Sequence, residues 1–173
     1  MRNFFLASVC LAALWVPIGA GAAETGGCES FTWPIATDLQ WLKSGDSEAL
    51  ASGAKLVAPP EKAIALALQP MSKVSFPVAP TSRSTSDAAE AFGGFIDIEG
   101  VPAAGLYQVT IATSGWVDIV QNGKTLKPTA HTGKSDCEGA RKSLRFAIGS
   151  GPFSVELSNI KKETIKFSIR RAE

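Results

Sequence analysis

Hydrophobic positions in this chain change their period once, and the change predicts its layout. Ile35, Leu39 and Leu42 follow an i, i+4, i+7 spacing that places them on one face of a helix. Thr32 can cap that helix, Pro34 suits its first turn and Gly45 can end it. A single helix of about three turns is expected there, covering one face or end of a sheet. From about residue 53 the period falls to two. Ile64, Leu66 and Leu68 alternate with alanines, Phe95-Ile96-Asp97-Ile98 follows two glycines, and Tyr107, Val109 and Ile111 share one face. Leu144 to Ile148, Phe153 to Leu157 and Ile165 to Arg170 repeat the alternation, the last with Lys166, Ser168 and Arg170 outward. Asn122-Gly123, between two alternating runs, is a strong hairpin signal, because both turn positions favour a positive φ. About seven to nine short strands, each with one polar face, predict a mainly β fold: an antiparallel, jelly-roll-like β-sandwich with one N-terminal helix. Thr81 to Ala88 shows no apolar pattern and is expected to be a mobile loop. Pro59-Pro60 and Pro77 to Pro80 punctuate strand edges, and nothing marks a second domain.

The N-terminus carries a different pattern. Met1-Arg2-Asn3 is a short cationic start, Phe4 to Val16 is an apolar run, and Pro17 and Gly19 break any helix. Ala20-Gly21-Ala22 supplies the small residues of a signal-peptidase site. Residues 1–22 are therefore expected to be a Sec-type signal peptide cleaved near Ala22, leaving 23–173 as one periplasmic or secreted domain. The 173 residues less 22 leave 151, ample for one core. No later stretch approaches the roughly 20 apolar residues of a membrane span, so none is expected after cleavage.

Removal of the leader changes the picture in two ways. It takes Arg2 and no acid, so 17 basic residues fall to 16, equal to the 16 Asp plus Glu. A neutral domain lacks the electrostatic footprint for a phosphate backbone, so nucleic acid is not an expected partner. It also removes Cys10, leaving Cys28 and Cys137 as an even pair in an oxidising compartment. A structural disulfide is the expectation. Lipidation of Cys28 lacks the usual aliphatic residue ahead of it, and neither cysteine lies in a CxxC.

Signals for chemistry are sparse. Gly133-Lys134-Ser135 resembles the end of a phosphate loop, but Pro128 stands where the leading glycine belongs and a strand follows, so it reads as a polar turn. His131, the sole histidine, sits in a Thr/Gly/Lys-rich stretch and reads as an exposed loop residue. No GxSxG is present. Asp97 with Glu99, and Asp136 with Glu138, are paired carboxylates that could bind Ca²⁺ or serve a hydrolase, but solvated strand ends explain them equally well. No catalytic residue, metal or cofactor is expected.

The best binding signal is aromatic. Trp33 and Trp41 fall on the helical segment, Tyr107 on a strand, and Trp116 on the next, where it faces the same way as Asp118. Trp116, Asp118 and Tyr107 form the candidate ligand platform, with the indole stacking on a sugar and the carboxylate bonding to it. The alternative is that Trp116 is core under the helix. Arg141, Lys142, Arg145, Lys161, Lys162, Lys166, Arg170 and Arg171 would form a basic patch if the last strands pair; it could meet an anionic polymer or simply guard sheet edges.

Gly105 to Ile111, then Trp116 to Lys124, resemble the central hairpins of secreted bacterial β-sandwiches of the pre-peptidase C-terminal type. The spacing to Lys142–Phe146 and Gly151–Leu157 fits the same comparison, over roughly residues 92–170. The Cys28…Trp33 start and the Ser135-Asp136-Cys137 turn resemble a family of small exported bacterial β-sandwich proteins, often labelled homogentisate 1,2-dioxygenase. That label implies iron held by two histidines and a glutamate, a set that one histidine cannot supply. The expectation is a non-catalytic exported binding or accessory protein of the bacterial envelope. Carbohydrate is its candidate ligand, and envelope polysaccharide or envelope protein its candidate partner. A structural subunit of an envelope assembly and a carboxylate-dependent hydrolase are the alternatives.

Overall fold

In a computed structural model, residues 26–82 and 90–173 are described. The expected signal peptide therefore lies outside the described residues. The fold is mainly β, with two mixed sheets and one helix. Twelve strands are present among the described residues: β1 Ser47–Ala51, β2 Ala54–Leu56, β3 Ala63–Ala67, β4 Gln69–Pro70, β5 Phe92–Ile98, β6 Gly105–Ile111, β7 Trp116–Gln121, β8 Lys124–Leu126, β9 Ala130–Gly133, β10 Lys142–Ile148, β11 Phe153–Ile160 and β12 Thr164–Arg171. The helix α1 is Ala36–Lys43. Sheet A runs β1-β3-β12-β6-β10-β9 and sheet B runs β2-β5-β11-β7-β8, with β4 joined to β5.

Two features depart from the expected antiparallel set of seven to nine strands. First, β1, β2, β4 and β9 are additional pieces of two to five residues, too short to show a period of two. Second, β1 pairs with β3, and β2 with β5, in parallel. Successive strands β1, β2 and β3 alternate between the sheets, so the chain returns to sheet A in its starting direction. The corner between β1 and β2 is made by Gly53 at φ +87°, whose N–H donates to Phe95 O at 2.7 Å. The predicted Asn122-Gly123 hairpin joins β7 to β8, both residues having positive φ.

Inner faces of both sheets meet in one core. Ile64, Val109, Ile111, Phe146, Phe167 and Ile169 come from sheet A, and Ile96, Ile98, Ile119, Val155, Leu157 and Ile160 from sheet B. The polar outer faces are covered too, one of them by the helical segment expected there and the other by a segment the alternation did not anticipate. Over sheet A lies the N-terminal segment, where Phe31, Trp33, Ile35 and Leu42 form a second apolar cluster with Cys137 and Ala140. The helix is shorter than expected because Thr32 is spent elsewhere. Its N–H and hydroxyl both donate to Thr132 Oγ1 at 3.2 Å, and the helix begins after Ile35 with no side-chain cap. Trp33 consequently precedes the helix, with its indole N–H donating to Ser143 Oγ at 3.1 Å. Cys28 and Cys137 are joined by a disulfide, and Gly27 N–H donates to Asp136 Oδ2 at 2.8 Å beside it. Together these fix the start of the covering layer.

A buried ion pair locks the same layer down. Asp38, fully buried in the first turn of α1, accepts from Gln108 Nε2 at 2.7 Å, Ser168 Oγ at 2.7 Å and Arg170 Nε at 2.8 Å. A buried carboxylate survives only when such donors and a counter-charge replace water. Among the described residues, no helix is long and apolar enough to cross a membrane.

Candidate functional site

The outer face of sheet B is crossed by residues 71–82, which run over β5, β11 and β7 in turn. Met71 and Phe76 pack on Gly93, where any Cβ would come within 2.6 Å of the Met71 sulfur. Val78 N–H then donates to Glu156 Oε1 at 3.1 Å. Thr81 closes the crossing, its N–H donating to Asp118 Oδ2 at 2.9 Å and its hydroxyl to Asp118 Oδ1 at 2.6 Å. Ser82 Oγ lies 3.1 Å from Ser158 Oγ. The start of the expected mobile loop is thus held against the sheet, because buried acceptors on β7 and β11 need its donors. Residues 83–89 lie outside the described residues.

Three acids lie beneath this crossing. Glu156 and Asp118 are directly opposite one another on β11 and β7, while Asp97 on β5 accepts from Ser154 Oγ at 2.7 Å. Burial, with the charges of Asp118 and Asp97 adding to it, raises the Glu156 carboxyl to about 7 despite the opposing hydrogen bond from Val78. Its Oε2 is buried without a hydrogen-bond partner. Period-two alternation could have found this set, since Ser154, Glu156 and Ser158 are the outward positions of β11. The acid pairs singled out from sequence are not the ones assembled: Asp136 serves the N-terminal segment, and Glu99 lies beyond the end of β5. Glu156 and Asp118 are 1% and 5% exposed, so the assembled pair presents no carboxylate to a substrate. Among the described residues, no group of three or more His, Cys, Asp or Glu side chains is placed to hold a metal ion.

Trp116 stands at the edge of this face and is 42% exposed. It is not core under the helix, because β7 belongs to sheet B and α1 covers sheet A. Its Nε1 donates to Thr81 Oγ1 at 2.8 Å and Asp118 Oδ1 at 3.2 Å. The indole is fixed by its polar edge, and what it presents outward is aromatic surface. Trp116 borders a concavity of about 480 Å³ where the edges of the two sheets come together. Val117, Leu126, Pro128 and Leu144 supply its apolar walls, with His131 and Lys142 on the sheet A side.

Two members of the expected platform are corrected. Tyr107 is 4% exposed in the core on the inner face of sheet A, with its hydroxyl donating to Ala103 O at 2.9 Å. It is remote because β6 and β7, though consecutive, belong to different sheets. Asp118 is beside Trp116 as the alternation required, but all its bonding goes to Thr81 and Trp116. It positions the indole and the crossing segment, and does not face a ligand. His131 is exposed as expected, on the short edge strand β9 and not in a loop.

Compared with known protein families, curated proteins and solved structures, the chain matches none.

The basic residues are also redistributed. β10 and β12 do not pair but flank β6, and the N-terminal layer absorbs much of their outward charge. Arg170 pairs with Asp38, Lys166 Nζ donates to Ser44 O at 2.8 Å, and Arg145 lies 4.5 Å from the Trp33 ring centroid. Lys142 instead reaches the Trp116 concavity, its ammonium 5.5 Å from the indole ring centroid and donating to Gly115 O at 3.1 Å. Half-burial, with the Arg141 charge adding to it, lowers the Lys142 pKa.

Proposed function

We propose that this chain is an exported, non-catalytic binding module, a jelly-roll-like sandwich whose site is the concavity beside Trp116 and whose ligand is carbohydrate. The observation that carries this is the indole itself: exposed, but locked by two hydrogen bonds from its own N–H. A rigid aromatic face costs little side-chain entropy on binding and suits the apolar face of a sugar ring. The walls of the concavity are mostly apolar with a few polar groups, the usual composition of a small-ligand site. The Cys28–Cys137 disulfide supports residence in an oxidising compartment. Envelope polysaccharide is the partner this reading favours.

Titration of the purified protein against a panel of defined oligosaccharides, followed by Trp fluorescence and calorimetry, tests the proposal. Saturable binding of at least one oligosaccharide, lost in Trp116→Ala, is expected. Binding that persists in a folded Trp116→Ala protein, or no binding to any oligosaccharide, overturns it.

A further inference from the structure

A second concavity, of about 580 Å³, adjoins the first and shares His131 and Lys142 with it. Its remaining lining includes Lys134, Arg141 and Ser114. Across both concavities the side chains that can carry positive charge are Lys127, His131, Lys134, Arg141 and Lys142, and the one acid is Asp118. Asp118 is turned to Thr81 and Trp116, as described above. Arg141 donates to Ser114 Oγ at 3.3 Å and Lys142 to a backbone carbonyl, and neither forms an ion pair among the described residues. Two adjacent cations, one half-buried, thus stand beside an aromatic platform without an ion-pair partner among the described residues. On a chain with nearly equal acids and bases, that segregation is local.

We infer that the ligand is an anionic saccharide, its ring stacked on Trp116 and its carboxylate or sulfate held between Lys142 and Arg141. This rests on the reading of Trp116 as a sugar platform. The physical reason is complementarity of deficits. A half-buried ammonium beside a guanidinium has given up part of its hydration without gaining an ion-pair partner among the described residues, and an anionic group supplies both opposite charge and charge-assisted hydrogen bonds. The Lys142 ammonium lies over the indole ring, 5.5 Å from its centroid, so an anionic group that it holds sits at the platform. A nucleotide offers the same combination of ring and charge, but the expected export argues for sugar.

The test compares charged ligands with neutral counterparts on the wild-type chain, so it does not depend on any variant folding. Tetragalacturonate is titrated against its methyl ester, and a sulfated galactan oligosaccharide against its desulfated form, with AMP as a third probe. At least one charged saccharide is expected to bind roughly tenfold or more tighter than its neutral partner, and to weaken as NaCl is raised. The two charged arms distinguish carboxylate from sulfate. The double variant Arg141→Gln/Lys142→Gln, checked for an unchanged melting transition, is expected to lose that preference while retaining weak binding of the neutral form. Neutral forms binding as tightly as charged ones overturn the anionic inference and leave the platform standing. AMP binding as tightly as the preferred saccharide overturns it in favour of nucleotides. No binding by any saccharide overturns both.

Discussion

The two outer faces of this molecule solve one problem in opposite ways. Each sheet presents a polar outer face, and each face is buried by a covering segment. On sheet A the covering layer brings its own charge: Asp38 descends on Arg170, Gln108 and Ser168, and every group in that set has a partner. On sheet B the buried charges beneath, Asp118 and Glu156, are both acids, Lys55 stands opposite the partly exposed Asp97, and the cover is residues 71–82. They bring backbone N–H groups and hydroxyls, which satisfy Asp118 and one oxygen of Glu156 but not the other. Burial, with the neighbouring acids adding to it, makes the second cover dependent on a proton at Glu156. The sheet B face is also the one that orients Trp116.

Three perturbations probe that contrast. The largest effect is expected from Asp38→Ala, which strands Arg170 in a nearly dry site. Removing one partner of a buried pair typically costs about 3–5 kcal/mol. Urea unfolding measures it, and a cost below about 1 kcal/mol would show that Arg170 finds water or Glu173 instead, since it already bonds Glu173 Oε1 at 2.8 Å.

Next in size is the disulfide. The double variant Cys28→Ser/Cys137→Ser opens a link across 109 positions and is expected to cost about 2–4 kcal/mol. If the bond acts through the sheet A cover, hydrogen exchange should rise across residues 26–45 and not beneath the 71–82 crossing. Uniform acceleration would instead indicate a purely global effect.

The smallest effect, and the one with a pH signature, belongs to Glu156→Gln. In the unfolded chain this carboxyl releases its proton near the ordinary value of 4.5, whereas in the folded chain it holds it to about 7. Between those values the folded state binds more protons, so wild-type stability falls as pH rises from about 4.5 to about 7. The variant is expected to gain at most about 3 kcal/mol over wild type at pH 8, less where water reaches the site, and to match it near pH 4.5. Thermal unfolding at both pH values checks this, and an equal difference at the two would remove the pH-sensitive half of the comparison.

Legibility of the fold in the sequence followed the length of each element. Strands of six to eight residues, and β3 with five, showed their alternation plainly, and the Asn122-Gly123 turn was equally clear. The short edge strands did not, since two to five residues hold too few positions to establish a period. Asp38 left a signal that apolar spacing alone passed over: it falls three residues after Ile35 and four before Leu42, on the apolar stripe itself. An acid there demands a buried partner, and Arg170 was already marked as outward on its strand. In the candidate site, Trp116 and Asp118 were correctly placed on one face because alternation is a local property. Tyr107 was misplaced because membership of a sheet is not.

What the sequence by itself determined is whatever neighbours along the chain decide: the helix, the longer strands, the hairpin and the faces on which side chains lie. Those follow from periods of 3.6 and 2, which the backbone imposes within a few residues. The tertiary structure alone decided that β6 and β7 part into different sheets, that Asp118 is consumed by Thr81, and that Lys142 arrives beside Trp116. Each depends on which distant segment covers which face, and that is settled by burying apolar surface and matching polar groups across the whole chain.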